Sequence, residues 1–229
     1  MMGNKFLAYL KSFARTLGEA ADRIGFKKRY QWSLISQFIP PLHDLPGSRI
    51  VEYAWVLRNL NLDKGTILDV GPGYSKFPIL LASCGFKVYA IDIRDYPHTH
   101  PNLMFIKGDI RDIRDDKITS LYNVRFDAIT CISTLEHIGL NDDVDDGDIK
   151  AIGRMRNLLK PQGRLLLTIP FSDKYVIKDG ERKYDEERIK KITKGFIIEK
   201  IEFFSSKSGY YMPSCSADAD LVCLTLLKK

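Results

Sequence analysis

The chain has 229 residues, 35 Lys and Arg against 29 Asp and Glu, and a formal net charge of +6. That length suits one α/β domain with a short appendage and a sizeable core. Residues 1–64 hold ten basic side chains against five acidic ones, whereas residues 65–229 hold 25 against 24. The near-neutral remainder argues against a broad nucleic-acid surface and leaves room only for a local anionic contact.

The first residues are apolar too briefly for a signal peptide or a membrane span, which predicts a cytoplasmic protein without a transmembrane segment. Asn4 to Ile24 carries Phe6, Leu7, Leu10, Phe13, Ala14, Leu17, Ala21 and Ile24 at helical spacing. This predicts an amphipathic helix that lies over the domain as a lid. Its basic face also suits a peripheral membrane contact, but Glu19 and Asp22 oppose that. Phe26 to Gly47, with Lys27-Lys28-Arg29, Tyr30, Trp32 and three prolines, reads as a connector. The predicted division is therefore 1–47 as lid and connector, and 48–229 as the main domain. Ser48 is the expected N-cap of a helix running to about Leu60, with Ile50, Val51, Ala54, Leu57 and Leu60 on its inner face.

From Gly65 onward, strands near 66–70, 87–91, 103–106, 126–131 and 164–169 alternate with helical patterns, which predicts a parallel sheet covered on both faces. The runs 196–204 and 219–227 lack a helix between them and read as an antiparallel pair at one edge. Cys84, Cys131, Cys215 and Cys223 show no Cys-x-x-Cys spacing. Cys84 and Cys223 sit in apolar surroundings and are expected as core thiols, with no disulfides.

Gly65 to Asp92 is the most informative stretch. The strand Thr66–Val70 contains Asp69, opens onto Gly71-Pro72-Gly73, and is followed by a helix and a strand ending in Asp92. Such a unit lets the backbone approach a nucleotide-like ligand, and the second acid can grip ribose hydroxyls. A pyrophosphate is disfavoured, because Lys76 replaces the third glycine and Asp69 would repel a phosphate while attracting a cation. S-adenosylmethionine, with a sulfonium, an ammonium, two free ribose hydroxyls and no phosphate, meets these demands.

With these residues the chain resembles the class I S-adenosylmethionine-dependent methyltransferases, of the ubiquinone-methyltransferase-like kind. Asp69-Val-Gly-Pro-Gly73 resembles their first motif. Lys107-Gly-Asp-Ile110, Phe126 to His137 and Leu159 to Pro170 follow in the same order and spacing. The resemblance covers roughly Arg49 to the C-terminus. It implies a Rossmann-like seven-stranded sheet with an antiparallel last strand.

The resemblance also implies roles for individual residues. Gly71, Pro72 and Gly73 would cradle the methionine part of the cofactor, Asp69 would hold its ammonium group, and Asp92 its ribose hydroxyls. Asp109 and Ile110 would meet the adenine, with Ile93 as the opposite wall and Ile132 as a further contact. For Asp109 a solvated loop is the competing reading. Arg49 would take the cofactor's carboxylate, against a plain surface arginine.

Related ubiquinone-pathway and small-RNA enzymes place an acid where Ser133 stands and use it with a Glu-His pair to bind metal. Glu136-His137 is kept here without that acid, so no metal is expected. His137 is then a candidate general base or hydrogen-bond donor, with a structural cap as the alternative. The acidic run Asn141 to Asp148 fails the calcium-loop register, which leaves Asp148 as an expected helix cap, and His98 and His100 read as loop contacts. Acceptor recognition is expected from Tyr30, Trp32, the loop Ser172 to Tyr184, and the loop Ser205 to Asp218 with Tyr210, Tyr211 and Pro213. Similar sequences accompany surface-polysaccharide and other small-molecule pathways, which implies O-methylation of a sugar or a related metabolite. RNA or protein methylation, and a non-catalytic cofactor-binding subunit, are the rival readings.

Overall fold

Short β-rich runs between helical ones build the predicted layered architecture. A computed structural model describes residues 47–112, 121, 123–143, 145–205, 210–212 and 219–229. The predicted lid helix and the connector up to Pro46, with Tyr30 and Trp32, lie outside the described residues, as do Pro213 and Cys215. The strands are β1 (Thr66–Val70), β2 (Lys87–Asp92), β3 (Leu103–Lys107), β4 (Phe126–Ile132), β5 (Leu159–Pro170), β6 (Val176–Lys178), β7 (Glu181–Lys183), β8 (Phe196–Ser205), β9 (Tyr210–Met212) and β10 (Leu221–Lys228). The helices are α1 (Gly47–Asn59), α2 (Phe77–Ser83), α3 (Gly147–Leu158) and α4 (Glu186–Ile192).

Seven strands run in the order β3-β2-β1-β4-β5-β10-β8, and the three-residue β9 extends the sheet beyond β8. β10 is antiparallel to both β5 and β8. The expected seven-stranded mixed sheet with a reversed last strand is therefore present. The central strands are apolar on both faces, as a sheet covered by helices on each side requires. Leu68, Ile129, Leu167 and Leu224 point into one core cluster with Ala151, Met155 and Ile189 of α3 and α4. Ile67, Ala128, Leu166 and Cys223 point into the other, with Trp55 and Val56 of α1 and Phe77 and Leu81 of α2. Trp55 is fully buried, and its indole N–H donates to Glu202 of β8, which also accepts from Arg58 at 3.0 Å. These contacts fix α1 over the sheet.

Four local expectations change. Helix α1 is described from Gly47, so Ser48 stands in its first turn and not at the N-cap. Strand β5 starts at Leu159, well before 164, because Leu159 already pairs with Phe126; the register then shifts before Arg164 pairs with Ala128, and Gln162 takes a φ of +60° in between. The two loops expected to bind the acceptor contain strands: β6 and β7 form a hairpin, and β9 carries Tyr210 and Tyr211. Asp148 does not cap α3. That helix begins at Gly147 with Asp146 at the N-cap position, and Asp148 is buried in the first turn.

The physical reason for Asp148's burial is an ion pair. Its carboxylate takes two bonds from Arg188 of α4, at 2.6 and 3.0 Å, and clamps α4 against α3. Removing one partner of a buried pair leaves the other charge uncompensated and costs roughly 3–5 kcal/mol, whereas replacing both with apolar residues is often neutral. Asp148→Ala is expected to lose about that much in urea unfolding, and Asp148→Leu/Arg188→Met to recover most of it. Equal losses in both variants would show that the cost comes from losing the pair's own bonds and not from a charge left uncompensated.

Candidate functional site

The chain leaves β1 toward β2 and β3 on one side, and β4 and β5 lie on the other. The carboxyl ends of β1 and β4 thus form the topological switch point where such sheets bind ligands. Asp69 stands directly opposite Thr130 in the parallel β1–β4 ladder. Both are buried, and the Thr130 hydroxyl donates to Asp69 Oδ1 at 2.6 Å. Burial pushes the Asp69 carboxyl up to about 7 against the opposing effects of the Thr130 bond and Arg49.

Beyond β1 the backbone turns tightly under β4. Gly71 has φ +71°, and a Cβ there would lie 2.0 Å from Thr134 Cγ2, so only glycine can pass. The Thr134 hydroxyl donates to Gly71 O at 3.0 Å and joins the turn to the end of β4. Asp92 ends β2 with its carboxylate buried. It accepts the Gly73 N–H at 2.8 Å and the Arg94 N–H at 2.9 Å. A narrow cleft between these elements is lined by Arg49 and Tyr53 of α1, by Asp69, Gly71 and Pro72, by Ser75 and Phe77, and by Ile132. Five of the predicted cofactor residues meet there. A wider hollow beside Arg111, Lys150, Arg154 and Arg156 gathers none of them.

The remaining predicted residues are less uniform. Ile93 follows β2 and is 67% exposed, whereas Ile110 is buried. The Asp109 carboxylate is gripped by Arg111, with bonds of 2.7 to 3.1 Å to both oxygens. Burial alone would raise the Asp109 pKa, but the Arg111 bonds hold it below the ordinary value.

Arg49 is part-buried and reaches the end of β4. Its guanidinium donates to Ile132 O at 3.1 Å, Ser133 O at 3.3 Å and Glu52 Oε2 at 3.1 Å. Glu52, fully buried, also accepts from Thr168 Oγ1 at 2.7 Å and from the Ser133 hydroxyl. Ser133 has φ +39°, an uncommon value for a residue with a side chain. Glu52 and Thr130 were not picked out from the sequence. The signals were there: an acid three residues from Arg49 on one helix, and a hydroxyl in an otherwise apolar strand.

His137 sits on a 3-10 turn after β4, exposed, with Nδ1 2.9 Å from the Gly180 carbonyl. Its neighbour Glu136 is buried, and Oε2 has no hydrogen-bond partner among the described residues. Burial pushes this carboxyl up to about 8. The described residues contain no cluster of His, Cys, Asp or Glu that could hold a metal ion. His98 packs edge-on against Tyr96, and His100 Nδ1 accepts the Asn102 N–H at 3.1 Å, so both serve their loop. No helix among the described residues is long and apolar enough to cross a membrane.

Comparison with known proteins agrees with this architecture. The model of a methyltransferase domain family matches residues 47–208. The chain belongs to that family. A ubiquinone biosynthesis O-methyltransferase of Dechloromonas aromatica is 30% identical over 151 residues, covering 64% of this chain and 60% of that protein. One from Pseudomonas paraeruginosa is 28% identical over 60% of this chain and 56% of its own length. The chain thus matches little more than half of these relatives.

Among solved structures, the 1,6-didemethyltoxoflavin-N1-methyltransferase of Burkholderia thailandensis, with its substrate and S-adenosylhomocysteine bound, superposes with a TM-score of 0.56. It is 18% identical and is matched over 87% of this chain and 89% of its own. The N-methyltransferase NodS of Bradyrhizobium japonicum gives a TM-score of 0.54 at 18% identity, over 81% and 98% of the two chains. At these identities the likeness establishes the fold.

The buried Glu136 carboxyl sets a pH dependence. Between the ordinary 4.5 and about 8, the folded chain holds a proton that the unfolded chain has released. Stability therefore falls as pH rises across that window. Melting temperatures measured from pH 5 to 8 should decline for the wild type and decline less for Glu136→Gln. Asp69, raised from 3.8 to about 7, keeps part of the slope. Parallel curves for the two proteins would place Glu136 in contact with water.

Proposed function

We propose that this chain is an S-adenosylmethionine-dependent methyltransferase that methylates a hydroxyl of a small molecule. The observation that carries the cofactor assignment is Asp69. A buried carboxylate with the Thr130 hydroxyl as its hydrogen-bond donor among the described residues, beside a turn where a Cβ has no room, suits a cationic group brought close to the backbone. When bound, the cofactor supplies an electrophilic methyl group on a sulfonium that departs as a neutral thioether.

The chain's own residues then do the rest. Asp69 holds the ammonium, Gly71, Pro72 and Gly73 leave room for the methionine part, and Asp92 accepts the ribose hydroxyls. Ile93 and Ile110 flank the adenine, Ile132 adds an apolar contact, and Asp109 takes the adenine amino group alongside its bond to Arg111. Arg49 holds the cofactor's carboxylate with the part of its fork that β4 leaves open. His137 takes the hydroxyl proton of the acceptor as the new bond forms. Alignment of this kind can contribute roughly 7–11 kcal/mol.

An oxygen acceptor is favoured by the O-methyltransferase relatives and by a histidine available as base. The solved neighbours include N-methylating enzymes, for which a base matters less. The near-neutral charge of residues 65–229 supports a small acceptor over RNA. The sugar-like acceptor and the cytoplasmic location belong to this proposal too.

Two measurements test the reading. Tritium from labelled S-adenosylmethionine should pass into a small-metabolite extract and not into total RNA; label in RNA alone would reverse the substrate class. Calorimetry should show S-adenosylhomocysteine binding lost by Asp92→Ala, at a cost of about 1.5–3 kcal/mol per charged hydrogen bond. Binding should also release a proton near neutral pH, because the ligand's ammonium favours the ionised form of Asp69. Affinity should therefore rise as pH rises through about 7, and Asp69→Asn should abolish the trend. A pH-independent affinity in the wild type would remove the ammonium from Asp69.

A further inference from the structure

We propose that the β6–β7 hairpin orients His137: the Gly180 carbonyl fixes the imidazole proton on Nδ1, and Arg182 is the positioning residue that holds the hairpin in place. This rests on the reading of His137 as the base.

Two residues form the tip of the hairpin. Asp179 and Gly180 have φ of +54° and +79°, and they join Lys178 to its ladder partner Glu181. Two left-handed residues in a two-residue loop make a type I′ turn, for which Asp-Gly is a preferred pair. Such a turn leaves the Gly180 carbonyl outside the hairpin ladder, and here it faces His137 Nδ1 at 2.9 Å. A carbonyl only accepts, so Nδ1 must carry the proton. In the neutral ring Nε2 then has the lone pair. Nε2 lies 4.0 Å from Glu136 Oε1, beyond hydrogen-bond reach. The nitrogen that must receive a proton is thereby left bare.

The hairpin cannot drift from this position. Arg182, fully buried on β7, donates to Ile138 O at 2.6 Å, Gly139 O at 3.3 Å and Glu136 O at 3.4 Å. Those carbonyls lie on both sides of His137. A fourth bond, at 2.8 Å, goes to Asp145, which also accepts from the Tyr175 hydroxyl. One guanidinium thus joins the hairpin to the turn that carries the histidine. A planar fork with five donors can do this, and an ammonium cannot.

The test is Gly180→Pro in the full chain. Proline cannot reach the positive φ, and a Cβ at this position would meet nothing within 4 Å, so the change acts by breaking the turn's backbone. Nitrogen-15 NMR of the histidines, with His137 assigned through His137→Gln, is read in the presence of S-adenosylhomocysteine. The wild type should show Nδ1 protonated and Nε2 bare. Gly180→Pro should populate the Nε2-protonated form and lower label transfer into the metabolite extract by ~10²-fold, with S-adenosylhomocysteine affinity unchanged. Asp179→Asn, which keeps the turn type, should leave the tautomer as in the wild type. If Gly180→Pro does not fold, Gly180→Val applies the same backbone strain at the same open position. An Nε2-protonated wild type, or an unaltered tautomer in the folded variant, would overturn the orienting role. A changed tautomer with undiminished transfer would keep the contact and sink the reading of His137 as base.

Discussion

The site depends on one pairing, Asp69 against Thr130 across the β1–β4 ladder. Slipping β4 by one residue would turn Thr130 to the opposite face and leave the Asp69 carboxyl buried without its strong donor. The same register brings Thr134 onto Gly71, where the turn passes too close for any side chain. Strand pairing, the shape of the turn and the chemistry of Asp69 are therefore a single constraint. Burial raises the acid's pKa, and the Thr130 bond and the nearby Arg49 only partly offset this. The result is a group held near its titration point, at the place where a cation would be most effective in ionising it.

Most of this frame could be read before the fold was known, because it is local. Gly71, Gly73, Asp69 and Asp92 lie within one strand–turn–helix–strand unit, so spacing alone brings them together. Apolar runs fixed the central strands for the same reason. What escaped notice depends on contacts far apart in the chain. Glu52 and Thr168 are 116 positions apart and Arg182 and Ile138 are 44 apart, and no local pattern announces either pair. Asp148 misled because an acid before a helical run commonly caps it. Here a distant arginine draws it into the core. The β6–β7 hairpin carried a readable signal in Asp179-Gly180, but its strands are three residues long and exposed along β6, too short for alternation to show.

The two arginines that reach the backbone after β4 share a logic. Where β4 ends, its backbone carbonyls leave the ladder and still need donors, because a buried carbonyl without one is costly. Arg49 serves Ile132 and Ser133, and Arg182 serves Glu136, Ile138 and Gly139. One comes from α1, whose Trp55 belongs to one core cluster; the other lies two residues from Tyr184 of the opposite cluster. Each is balanced by an acid, Glu52 or Asp145. Apolar side chains in their place would pack as well but could not bond the carbonyls, so the turn after β4 would lose its fixed shape. A buried ion pair adds little to stability when compared with good apolar packing. Its value here is geometric: the two guanidinium groups determine where the chain can go between Ile132 and Gly139. Ser133, held at a φ of +39° by the Glu52 and Arg49 contacts, shows that this path is imposed on the backbone and not chosen by it.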